Sequence, residues 1–102
     1  MYFVEKTEQF DKWFRKLKDL RVKARILARI RKIELGNLGD HKSLRGGLFE
    51  IRFTFGPGYR IYFIKKKSQI ILLLVGGDKS SQTKDIEKAR VIIKRIEENN
   101  EK

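Results

Sequence analysis

The sequence predicts an α+β fold, a small antiparallel sheet with helices before and after it, in the order β-α-α-β-β-β-α. Three observations carry this. Apolar residues recur at helical spacing up to Ile33, the period changes to two from Phe49, and the apolar run in "QIILLLVGG" precedes a last stretch of helical spacing. The 102 residues suffice for one modest core, and no linker, repeat or low-complexity tract divides them, so residues 1–102 read as a single domain.

Tyr2 to Glu5 form a short first strand. Thr7 is the expected N-cap of a helix whose Phe10, Trp13, Phe14, Leu17 and Leu20 make a core stripe. A second helix carries Val22, Ile26, Ile30 and Ile33 on one face and Arg21, Arg25, Arg29 and Lys32 on the neighbouring one, with Gly36 as its stop. Phe49, Ile51, Phe53 and Phe55 then alternate with Glu50, Arg52 and Thr54, the signature of a half-buried strand. Gly56-Pro57-Gly58 supplies a hairpin turn, after which Tyr59, Ile61 and Phe63 face one way and Arg60, Tyr62 and Ile64 the other. Pairing Phe55 with Tyr59 would set Thr54 opposite Arg60 and Arg52 opposite Tyr62. Lys65 to Lys67 mark the next turn, and "QIILLLVGG" reads as a central strand buried on both faces. The polar cluster "DKSSQTKD" leads into a third helix, capped by Ser81 or Thr83, with Ile86, Ala89, Ile93 and Ile96 as its packing stripe.

Composition narrows the chemistry. Without cysteine there is neither a disulfide framework nor a thiolate metal site, and a single histidine rules out His-rich zinc or Ser-His-Asp chemistry. No metal or cofactor is expected. His41 reads as a loop residue ahead of the sheet, outside the site. No apolar run is long enough for a membrane span and "MYFVEKTEQF" lacks the layout of a signal peptide, so the expectation is a cytoplasmic protein with no membrane partner. The net charge of +12, concentrated in the first two thirds of the chain, favours a polyanionic partner.

Arg52 and Arg60 share the polar face of the hairpin with Glu50 and Tyr62. A guanidinium grips phosphate oxygens through its planar fork, a carboxylate can take a proton, and an aromatic ring can stack on a base. The same residues also suit a cross-strand salt bridge on a plain solvent face, and spacing alone favours that simpler reading. The arginine stripe of the second helix is open in the same way between a phosphate-binding surface and a solvated face. Gly76-Gly77 resembles part of a phosphate-cradling loop, but neither GxxxxGK[ST] nor GxGxxG is present.

The element order, together with "KSLRGGLFEIRF", "GPGYRIYF" and "LLLVGGDKSSQTKDIEKA", strongly resembles the RelE/ParE toxin superfamily, in particular its phage-derived, HigB-like addiction module killer proteins. The resemblance covers nearly the whole chain. It implies a small open sheet with the two N-terminal helices packed on one face and a C-terminal helix. It also implies a type II toxin held inactive by a cognate antitoxin, here a small helix-turn-helix protein. Many RelE-like members cut messenger RNA on the ribosome by attack of a 2′-hydroxyl on the adjacent phosphate, without a metal. Carried over by position, the implied catalytic residues are Arg60, Arg52 and Lys79; the chemistry of the attack suits Arg60 and Arg52 to the phosphate, Glu50 to the role of base and Lys79 to the leaving oxygen. Lys42 and Arg45 match positions that commonly touch ribosomal RNA, and Tyr62, as a stacking ring, and Lys84 complete the candidate RNA-binding set. Glu50 stands where some RelE proteins have lysine, and the aromatic or histidine found near the last helix of several active members is missing from "SSQTKDIEKA". ParE-like members poison DNA gyrase instead, and a plain basic RNA-binding module is the third reading.

Overall fold

A computed structural model describes residues 1–100. The elements in chain order are β1 (Phe3–Lys6), α1 (Glu8–Lys16), α2 (Leu20–Glu34), β2 (His41–Ser43), β3 (Leu48–Arg52), β4 (Arg60–Lys66), β5 (Ile70–Gly77), a 3-10 turn (Lys79–Ser81) and α3 (Gln82–Asn100). They build one five-stranded sheet in the order β1-β5-β4-β3-β2. The α+β class stands, with two refinements. The β1–β5 pair is parallel, which makes the sheet mixed. An additional three-residue strand, β2, too short and polar to show a period of its own, pairs His41 with Ile51 and Lys42 with Glu50.

Each helix begins where a side-chain oxygen satisfies an otherwise orphaned backbone N–H. Thr7 Oγ1 accepts from Phe10 N at 3.0 Å, as expected, and itself donates to Leu74 O at 2.6 Å, tying the start of α1 to the middle of the sheet. Asp19 caps α2. The expected long first helix stops at Lys16, and Leu20, assigned to its core stripe, instead opens α2 with its side chain in solvent. Before α3 the cap is Asp78 rather than Ser81 or Thr83. Its carboxylate receives Ser80 N at 2.8 Å, while Ser81 Oγ accepts from Asp78 N at 3.2 Å, a reciprocal box one turn earlier than expected. The Ser80 hydrogen bonds hold the Asp78 carboxyl below its ordinary range.

Alternation along the strands sends two sets of apolar side chains to opposite faces of the sheet. Helices α1 and α2 cover one face, where Phe10, Ile26, Ile30 and Ile33 meet Ile51, Ile61, Phe63, Ile71 and Leu73. Ala89 and Ile92 of α3 cover the other, meeting Leu48, Tyr62, Leu72 and Leu74. β5 is therefore buried on both faces, as its sequence requires. The second face is not the open surface expected for Glu50, Arg52 and Arg60, because α3 lies across it.

The Gly76-Gly77 pair owes its composition to this sandwich. A Cβ at Gly76 would lie 2.3 Å from Trp13 on one side, and one at Gly77 would lie 1.8 Å from Asp85 Oδ2 on the other. Close packing of side chains against β5, not a phosphate loop, demands glycine there.

Candidate functional site

The β3–β4 register places the polar residues two positions from where a tight hairpin would. Arg52 lies opposite Arg60, and Glu50 lies opposite Tyr62. Residues 53–59 do not zip up. Phe53 N donates to Tyr59 O at 3.0 Å, Gly58 N donates to Phe55 O at 3.3 Å, and Gly56 and Gly58 take left-handed angles that no side chain favours. Phe55 stacks at an angle on Tyr59, with ring centroids 5.6 Å apart, and fixes this wide loop. A slip of two preserves the face each side chain points to, so Glu50, Arg52, Arg60 and Tyr62 still share one side of the sheet. Lys42 joins them from β2, directly across from Glu50.

The cover supplied by α3 changes what these groups can do. Glu50 is only 1% exposed. It accepts a hydrogen bond from Gln82 Nε2 at 2.7 Å, and Arg60 Nε stands 3.6 Å from the same carboxylate oxygen. Glu50 is therefore an anchor beneath the site and not a base within reach of a substrate hydroxyl. Tyr62 is fully buried, with no face free to stack on a base. Burial, reinforced by the neighbouring Glu50 and Asp85 carboxylates, pushes its phenol well above the usual range, and its hydroxyl has no hydrogen bond of acceptable geometry.

The two arginines are held differently. Arg60, at the start of β4 with its side chain 14% exposed, leans on Glu50. Arg52, 40% exposed, donates from Nη2 to Asp40 Oδ1 at 3.0 Å. Like charges directly opposite on paired strands repel, and here each has its own carboxylate to offset that. Arg60 Nε–H, 3.6 Å from Glu50 Oε1, falls just short of a hydrogen bond, and the buried Arg52 Nε–H has no acceptor among the described residues. A buried donor left unmade costs about 1–3 kcal/mol.

Lys79 opens the 3-10 turn, with its side chain in solvent. Its backbone N donates to Pro57 O at 3.4 Å, so it borders the loop that delivers Arg60. Arg45 sits in the turn between β2 and β3 with φ of 75°, a left-handed angle costly for a non-glycine residue. Arg90 of α3 holds that turn by donating to Leu44 O at 2.8 Å and Arg45 O at 3.4 Å. Lys84 is elsewhere, lining a cleft of about 920 Å³ between α1 and α3 that neither Arg52 nor Arg60 borders. His41, whose Nδ1 lies 2.8 Å from Gly39 O, stays outside the site. Among the described residues no group of three or more His, Asp or Glu side chains is placed to hold a metal ion.

Asp40, Gln82 and Arg29, absent from the sequence-based site, position the two arginines. Arg29 donates to the carbonyls of Leu38, Asp40 and Arg52, bracing the strand end that carries Arg52. Burial lowers its pKa and Asp40 partly offsets this. The partnerships span 9 to 32 residues and leave no local pattern, although an arginine on a stripe next to an apolar face was a usable hint.

This fold, a mixed sheet between two N-terminal helices and one C-terminal helix, is that of the RelE toxins. A chain in the crystal structure of the intact E. coli RelBE toxin–antitoxin complex superposes with a TM-score of 0.63 at 20% identity, over 76% of this chain and 96% of that one. The isolated E. coli RelE toxin gives 0.63 at 15% identity, over 86% and 98%. Within that fold the chain belongs to the family described as Phage derived protein Gp49-like (DUF891), whose profile matches residues 12–97. An uncharacterized protein of Haemophilus influenzae is 45% identical over 93 residues, covering 91% of this chain and 94% of its own. Among the described residues no helix is long and apolar enough to cross a membrane.

Proposed function

We propose that this protein is the toxin of a type II toxin–antitoxin module and acts as a ribosome-dependent endoribonuclease on messenger RNA. The observation that carries the reading is the Arg52–Arg60 cross-strand pair, with each guanidinium held by its own carboxylate at the end of the sheet. Attack of a 2′-hydroxyl on the neighbouring phosphate, its proton passing to solvent water, forms the 2′-O–P bond of a cyclic phosphate and breaks the P–O5′ bond, which builds negative charge on the non-bridging oxygens and on the leaving 5′-oxygen. Donors fixed in advance at those positions lower the barrier without reorganisation, and the reaction so written needs no metal. Arg60, braced by Glu50, meets the phosphate first. Arg52 shares it, and Lys79 at the rim serves the leaving oxygen. Lys42 and Arg45 extend the basic surface toward ribosomal and messenger RNA.

A protein of net charge +12 needs an acidic cover when idle, which a cognate antitoxin segment laid against the basic surface would provide. The test is a short pulse of expression in bacteria without antitoxin, followed by primer extension on messenger RNA. Growth arrest with in-frame cleavage ends is expected. Arrest with broken DNA and intact messenger RNA would transfer the protein to gyrase poisoning, and normal growth at good yield of folded protein would remove the toxin reading.

A further inference from the structure

A second basic pocket opens beside Arg52, on the α2 side of the sheet end. It has a volume of about 330 Å³ and is lined by Arg25, Arg29, Lys32, Asp40, Arg52 and the Phe53–Phe55 loop. Its single carboxylate, Asp40, is already engaged by Arg52, while Arg25 and Lys32 have no acidic partner among the described residues. The cations are not loose. The Arg25 guanidinium lies 4.6 Å from the centroid of Phe55 and that of Arg29 5.1 Å from Phe53. Stacking of a guanidinium on an aromatic face holds its plane and leaves its edge donors free. Arg29 spends its donors on three backbone carbonyls and so fixes the pocket wall.

We propose that this pocket binds a phosphate of single-stranded RNA next to the one gripped by Arg60, with Arg25 and Lys32 as its free donors and Arg52 shared between the two positions. The proposal rests on the nuclease reading only for the identity of the first phosphate. A charged, pre-oriented pocket joined through one arginine to the cross-strand pair suits successive phosphates of one strand. The aromatic loop beneath Arg25 also lets that guanidinium sandwich against a base, a contact indifferent to sequence.

The experiment uses the full chain and a fluorescein-labelled oligouridylate that is 2′-O-methylated throughout, so that no 2′-hydroxyl can attack. Binding is followed by anisotropy over a salt series. The Arg25→Gln/Lys32→Gln protein should bind about tenfold more weakly at low salt and lose about 0.7 of the log–log salt slope for each phosphate contact removed. Arg31→Gln, on the same helix but paired with Glu34, together with Lys18→Gln removes equal charge outside the pocket and should cost much less. Equal losses in the two double variants would overturn the proposal. Retained RNA binding with lost binding of a polyglutamate peptide would overturn it too, in favour of an acidic protein partner. Should Arg25→Gln impair folding, Lys32→Gln alone, at an exposed site, must still reduce the slope relative to Arg31→Gln. Arg60→Ala keeps the two readings apart: normal cleavage by that variant would sink the catalytic role of Arg60 while the pocket variants still showed the weakened binding.

Discussion

Replacing Arg60 with alanine tests the site and its foundation together. The Arg60 Nε to Glu50 Oε1 separation is 3.6 Å, and the two side chains are 14% and 2% exposed. At an effective dielectric constant of about 20 the attraction is about 4–5 kcal/mol before desolvation. Desolvation offsets much of that in the intact pair, but removing one partner strands the other, at a cost of about 3–5 kcal/mol for a buried pair. The long Nε–Oε distance, together with the Gln82 hydrogen bond that stays with Glu50, puts the expected loss at the lower end, about 3 kcal/mol. For a chain of this size that lowers Tm by about 12–24 °C. Urea and thermal unfolding followed by circular dichroism measure it directly. Glu50→Gln in the Arg60→Ala background removes the stranded charge and should restore about 2 kcal/mol. Cleavage on programmed ribosomes, assayed well below either midpoint, should fall by about 10²–10³ in both variants, with poor rescue by Arg60→Lys because the planar fork is lost. An Arg60→Ala protein within about 1 kcal/mol of the parent, or a double variant no more stable than the single, would refute the coupling; normal cleavage would refute the phosphate role.

Three further outcomes follow from the same geometry. Tyr62→Phe removes a buried hydroxyl without a partner and should stabilise the protein by up to about 1 kcal/mol while leaving RNA affinity unchanged. Because the folded-state pKa of Tyr62 lies above its unfolded value near 10, its contribution is complete below that pH and is lost as pH rises further; Tyr62→Phe should flatten this part of the alkaline stability loss, read by urea midpoints at stepped pH. Gly77→Ala should cost about 1–3 kcal/mol by forcing Asp85 and Ser81 apart, visible as a lowered midpoint, and a neutral result would contradict the close approach of α3. Gln82→Ala removes the neutral donor to Glu50 and should cost about 1.5–3 kcal/mol, and cleavage should fall as Arg60 loses its fixed support.

Local pattern was sufficient for most of the scaffold. Thr7 as cap, the stripe of α2 and the double-sided burial of β5 each follow from residues within a turn or two of one another. The register of β3 on β4 was not legible, because glycine and proline say that the chain turns and not how many residues the turn consumes. Parity survived the two-residue slip, which is why the four polar residues were placed on one face despite the wrong pairing. Their burial was missed for a different reason. The amphipathic stripe of α3 demands an apolar partner but does not say which side of the sheet provides it, and only that choice turns Glu50 from an exposed base into an anchor and Tyr62 from a stacking platform into core. Asp40 and Gln82 likewise carry no signal until the sheet has brought them to Arg52 and Glu50.

The parallel β1–β5 pair has a bearing on when, during synthesis, the arginine site can assemble. Phe3 aligns with Ile70, so the first strand waits for almost seventy residues of chain before it finds its neighbour, a closure with a large entropic barrier. Gln82, which supports Glu50 and through it Arg60, is synthesised later still. A nascent chain therefore carries its arginines well before it can aim them, and the competent geometry assembles near the end of translation. A mixed fold of helices and long-range strand pairs predicts folding slower than a helical bundle and faster than an all-β barrel, measurable by stopped-flow dilution from urea with Trp13 as the probe.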